Sequence, residues 1–101
     1  MTHRIYKYPV RITDVFSIDM PAGAQLLRAM AQGDSPQLWA LVDPERRTDR
    51  RYFRLVGTGH PIDDATAERL KYVDTFMLED GALVFHLFET PVPSNSEEQG
   101  K

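Results

Sequence analysis

Cysteine is missing from this 101-residue chain. Without a thiol there is no disulfide framework, no zinc ribbon and no cysteine nucleophile. A chain that does without disulfides fits a reducing compartment, and a cytoplasmic location is the expectation. Long apolar stretches are missing too. The longest, Leu38 to Val42, has five residues, against about 20 needed to cross a bilayer, so no membrane partner is expected. The opening Met1-Thr2-His3-Arg4-Ile5-Tyr6-Lys7 lacks the apolar core of a secretory leader. There is no basic excess either: 12 Lys and Arg against 15 Asp and Glu leave a formal net charge of −3. That weighs against a dedicated nucleic-acid binder. Catalytic signatures are equally absent. No Walker loop, no His-x-His pair and no nucleophile–base spacing occurs. No catalytic residue, metal ligand set or cofactor is therefore expected.

Tryptophan is scarce, and its single instance is informative. Trp39 lies in Leu38-Trp39-Ala40-Leu41-Val42, with Gly33-Asp34-Ser35-Pro36 before it and Pro44 after it. A short apolar run bounded by turn signals reads as a strand buried on both faces. Burial there is worth roughly 1.5–3 kcal/mol per large side chain.

The rest of the chain is punctuated as a β protein. Arg4 to Tyr8 is a strand limited by Pro9, and Val15 to Met20 alternates Phe16, Ile18 and Met20 against Ser17 and Asp19. Residues 24–32 carry both signals: Leu26, Leu27 and Met30 have helical spacing, yet period-2 alternation and the Gly33-Asp34 turn favour a strand in a hairpin with the Trp39 segment. Glu45 to Arg51 reads as a charged loop, and Tyr52 to Val56 as a strand with Phe53 and Leu55 on one face. Asp63 or Asp64 can cap one short helix near 63–70. Tyr72 to Leu78 and Ala82 to Phe88 flank Glu79-Asp80-Gly81, where Asp-Gly, with its type I′ preference, predicts a hairpin. Residues 90–101 read as a flexible polar tail after a single domain over 1–89. The fold class is mainly β: a small antiparallel β-sandwich, with a small β-barrel as the runner-up.

A resemblance rests on Tyr6-Lys7-Tyr8-Pro9, Met20-Pro21-Ala22-Gly23-Ala24, Leu38-Trp39-Ala40-Leu41-Val42-Asp43-Pro44, Gly57-Thr58-Gly59-His60-Pro61-Ile62 and Leu83-Val84-Phe85-His86-Leu87-Phe88-Glu89. In these motifs, over roughly residues 4 to 89, the chain resembles a family of short uncharacterised proteins encoded by phages and prophages. The resemblance implies a phage accessory protein. It supplies no activity and no site residues.

The residues nominated for partner binding are Arg46, Arg47, Arg50, Arg51, Tyr52, Gly57, Gly59 and His60. Arginine and tyrosine together are what protein interfaces favour. The glycine pair can expose backbone N–H groups beside an imidazole. The expected function is a non-catalytic protein-binding module of phage or prophage origin, docking on a host or phage protein. Inhibition of a host defence complex is one specific version, and a homodimer is a further expectation. Two alternatives stand beside it. One is a small-ligand or metal-binding β domain using His60 and His86; the other is nucleic-acid binding through the Arg46–Arg51 loop.

Overall fold

The computed structural model describes residues 2–92. It holds seven strands: β1 (Arg4–Pro9), β2 (Val15–Pro21), β3 (Gln25–Gln32), β4 (Ser35–Val42), β5 (Thr48–Gly57), β6 (Lys71–Leu78) and β7 (Leu83–Thr90). One helical turn, α1 (Asp64–Ala67), lies between β5 and β6. The strands form two antiparallel sheets, β1-β4-β3 and β2-β5-β7-β6. Of the tail expected from residue 90, Thr90 belongs to β7, and residues 93–101 lie outside the described residues. Among the described residues no helix is long and apolar enough to cross a membrane.

Alternation builds the core. Phe16, Ile18 and Met20 of β2, Phe53 and Leu55 of β5, and Leu87 of β7 project inward from one sheet, meeting Leu38, Ala40 and Val42 of β4 and Ala29 of β3 from the other. The directly opposed rings of Phe16 and Phe53 stack with centroids 5.6 Å apart. Residues 24–32 form a strand, as the turn signal implied, but with a bulge between Leu26 and Arg28. An extra residue reverses the parity of a strand. Leu26 packs inward before the bulge and Ala29 after it, a three-residue step that imitates a helix in the sequence.

The sandwich does not close into a barrel. Where the sheets approach edge to edge at β3 and β6, both strands are bulged. A carboxylate takes the place of a backbone ladder: Asp74 Oδ2 accepts from Ala29 N–H at 2.9 Å and from Arg28 Nε at 3.3 Å. Its Oδ1 accepts from the Thr75 N–H at 2.8 Å.

Two local readings change in detail. The β6–β7 hairpin exists, but the left-handed pair is Glu79 and Asp80 (φ 52° and 55°), with Gly81 adding a third positive φ of 91°. The connection starts at Glu79 as expected, but it holds three positive-φ residues in place of the two of a type I′ turn, and it extends through Ala82, so that Leu78 pairs with Leu83 across it. The helix is a single turn, shorter than the span 63–70 allowed. Asp63 is its N-cap and accepts from the Thr66 N–H at 2.8 Å.

That hydrogen bond from the Thr66 N–H holds the Asp63 carboxyl below the ordinary carboxylate range. A carboxyl with a depressed folded pKa adds stability above its unfolded value and loses it as pH falls through the folded value. A carboxyl-carbon NMR titration should find Asp63 titrating below 3.8. In Asp63→Asn, which keeps the acceptor, the acid-induced loss of the helical turn should disappear.

Candidate functional site

The outward face of the β1-β4-β3 sheet follows from register. Leu38, Ala40 and Val42 point into the core, so Gln37, Trp39 and Leu41 point away from it. Their cross-strand partners share that side. One row is Ile5, Leu41 and Gln25; the next is Lys7, Trp39 and Arg28; the third is Pro9, Gln37 and Met30. No described element is layered over these rows: Ile5 is 61% exposed and Met30 41%. The strand around Trp39 is thus buried on one face only, and its indole is half-buried on an open sheet. The expectation of burial on both faces fails because the remaining strands are spent on the other sheet, on the core side.

Charge on this face is one-sided. Lys7 and Arg28 flank Trp39 on the two neighbouring strands, and none of the residues in the three rows is acidic. Lys7 Nζ donates to Gln32 Oε1 at 2.8 Å, so its stem crosses β4. Arg28 is the more exposed member of its pair with Asp74. These residues had no signal as isolated letters. Lys7 and Arg28 stand 21 positions apart in sequence, and only pairing through β4 brings them beside the indole.

The arginines nominated from the sequence do not form one basic loop. The strand begins at Thr48, so Arg50 and Arg51 sit in β5 and point to opposite faces. Arg50 makes a two-point contact with Asp19 on the outer face, at 2.8 and 3.2 Å. That bond and its charge hold the Asp19 carboxyl below its usual range. Arg51 turns inward and donates to both oxygens of Glu89, at 2.6 and 2.9 Å, and to the Ala24 carbonyl at 2.6 Å. Arg47 pairs with Asp49. Arg46 reaches back over the β2–β3 turn, its Nη2 3.9 Å from where a β-carbon on Gly23 would stand. Tyr52 lies between Ser17 and Thr90 on the outer face of the second sheet.

Gly57, Gly59 and His60 come together in a separate cleft. It encloses about 180 Å³ and is bounded by Val56, Thr58, His60, Ile62, His86 and Phe88, among others. The Gly57 carbonyl accepts from the His60 N–H at 3.1 Å, and Gly59 takes a φ of 89° in the turn between them. Gly57 has another reason to be glycine: a β-carbon there would stand 3.0 Å from the His60 ring. His86 anchors a row of hydroxyls. Its Nε2 lies 2.7 Å from Thr58 Oγ1, its Nδ1 3.0 Å from Thr75 Oγ1, and that hydroxyl 2.8 Å from the Tyr72 OH. Thr58 therefore meets His86, which the sequence spacing did not show. A hydroxyl on an oriented imidazole has the beginnings of a nucleophile–base pair, but no carboxylate lines the cleft. Among the described residues no group of three or more potential ligands could share a metal ion.

No curated protein and no solved structure matches the chain. A family model does match, over residues 1–98, and it covers both the open sheet face and the His86 cleft. The chain belongs to DUF7352, a family defined by a domain of unknown function.

Proposed function

We propose that the protein works by binding another protein, and that it docks through the open face of the β1-β4-β3 sheet. The observation that carries this is the half-buried Trp39, with Ile5, Leu41 and Met30 on its own and neighbouring strands and, among the described residues, no second layer above. Tryptophan and arginine side by side with aliphatic neighbours on the rows before and after is the composition of an interface hot spot, and exposed apolar surface on a small domain marks an interaction site. The earlier resemblance to phage and prophage proteins supports a phage accessory role, with a host protein as the partner and inhibition of a defence complex as one form. The lack of cysteine supports a cytoplasmic setting. A second copy is the alternative candidate for this face; Arg28 would bring its own counter-ion, Asp74, to such a contact.

The test uses Ile5→Glu and Trp39→Ala, each checked for an unchanged fold by circular dichroism. A partner retained from host lysate by the wild type should be lost or weakened at least tenfold by both, since a hot-spot truncation costs about 2 kcal/mol or more. Retention unaffected by either variant would remove the open face from the account.

A second reading has a specific observation behind it. The Thr58–His86 contact and the cleft beside it suit a small polar ligand better than a metal. NMR screening with small carboxylates and amides should then shift Thr58, His60 and His86 together, and His86→Gln should abolish the shifts. No shift in that group dismisses the reading. A nucleic-acid reading would rest on Arg46, since Arg47, Arg50 and Arg51 are each engaged by a carboxylate. A gel shift at low salt decides it.

A further inference from the structure

We propose that a second copy of this chain pairs with the free edge of β2, antiparallel and centred on Ile18, so that two β2-β5-β7-β6 sheets become one continuous sheet. The contact uses a different surface from the β1-β4-β3 face and stands independently of the docking reading above.

Backbone bonding shows which groups are free. The Leu55 N–H donates to the Asp14 carbonyl, and the Ala22 N–H to the Arg47 carbonyl. With the register between those ends, Phe16, Ile18 and Met20 are the residues whose backbones bond to β5. Val15, Ser17, Asp19 and Pro21 turn their backbone groups the other way, where β2 is the last strand of its sheet. Two carbonyls on that edge are already met. Thr13 Oγ1 donates to the Val15 carbonyl at 3.2 Å, and the Ala24 N–H to the Pro21 carbonyl at 3.2 Å. Among the described residues, nothing meets the Val15 N–H, or either backbone group of Ser17 and Asp19.

An antiparallel copy that sets Ser17 against Asp19 satisfies this pattern group for group. Ser17 and the second copy's Asp19 exchange both bonds, and Asp19 and the second copy's Ser17 do the same. At each end the Val15 N–H meets the Pro21 carbonyl of the other copy, which has a second lone pair. The Val15 carbonyl finds no N–H on that proline and needs none, because Thr13 already donates to it. The two strands overlap over their whole length, Val15–Pro21. A shift of register one way sets Asp19 against Asp19, and the other way carries Pro21 past the end of its partner strand.

The side chains agree with that register. On the outer face Asp19 brings its own Arg50, at 2.8 and 3.2 Å, so the charges balance. Its carboxylate comes beside the Ser17 hydroxyl of the other copy, which can donate to it. On the inner face Ile18 meets Ile18 in a close non-hydrogen-bonded pair, joining the two cores.

The other edges are guarded. β3 and β6 face each other, with Asp74 on the Ala29 N–H. β1 carries Arg4, Lys7 and Pro9 and no acid, so a copy paired there would gather like charges. β2 has no lysine, and its pairing with β5 has no bulge.

Edge pairing of one short strand buries little area, below the roughly 1,200 Å² of stable complexes, so the dimer should depend on concentration. The experiment is sedimentation equilibrium of the whole chain over a wide concentration range. The wild type should pass from monomer to dimer mass. Ser17→Asp should weaken the dimer about tenfold through two like-charge pairs with Asp19, whereas Ser17→Lys should preserve or tighten it. Trp39→Ala should dimerise as the wild type does. Monomer mass at every concentration overturns the proposal; a host protein then captured by a cross-linker at position 17 would give the edge to a foreign strand. A dimer weakened by both Ser17 substitutions has another register, and one weakened by neither uses another surface; each overturns it. A dimer lost in Trp39→Ala belongs to the open sheet face and overturns it as well. Host-protein retention unchanged by Trp39→Ala, with the dimer intact, removes the docking reading alone.

Discussion

Phe53→Ala is expected to cost about 3–5 kcal/mol, a large share of the stability of a domain this size. Phe53 is fully buried in β5, stacked on Phe16, and belongs to the same core cluster as Leu38 and Leu87. Two sheets held by one thin core cannot collapse onto the void without disturbing their registers, so the cavity term adds to the lost transfer energy. Urea unfolding should show a large fall in midpoint. Tyr52→Ala, next in sequence but on the outer face, should cost far less. Similar losses for the two would mean that the alternation along β5 is misassigned.

The second large effect belongs to Arg51. Its side chain is 21% exposed, as is that of Glu89, and it ties three segments together: β5, the end of β7 through Glu89, and the start of β3 through the Ala24 carbonyl. Arg51→Ala removes three hydrogen bonds and leaves a mostly buried carboxylate alone, which should cost about 2–3 kcal/mol. Arg50→Ala breaks a pair of similar geometry, but that pair is open to solvent and its loss should be far smaller. The double variant Arg51→Met/Glu89→Leu should recover most of the loss, since no unpaired charge remains. Melting curves of the three variants check this directly.

Where one face of a strand lies on the core and the other in water, the sequence pattern was sufficient. Phe16-Ser17-Ile18-Asp19-Met20 and Leu83 to Phe88 take the faces that their alternation implies. It was misleading where a bulge intervenes. In β3 the extra residue at Leu27 shifts the inward set from Leu26 to Ala29, and in β6 the bulge at Val73 sets Tyr72 and Thr75 on one side, three residues apart. It was also misleading where charges are neutralised by distant strands. Thr48 to Arg51 reads as a loop because Asp19 and Glu89, which let those arginines sit in a strand, lie about 30 to 40 positions away. The Trp39 face was half legible. An apolar run shows that a strand is buried, but whether a second layer covers its other side depends on how every other strand is spent. The hydroxyl row at His86 was not legible, because Thr58, Thr75 and Tyr72 reach the imidazole from three different segments.

The central claim is that one open sheet face binds another protein, and site-specific photo-cross-linking tests it most directly. A benzophenone side chain at Gln37 stands in the row beside Trp39; one at Ser17 stands on the outer face of the other sheet. In cells of the natural host, the account predicts a discrete protein adduct from position 37 that unlabelled wild type competes away, and from position 17 none except with a second copy of the chain. Adducts to other proteins from position 17 alone, or from neither position, would contradict it.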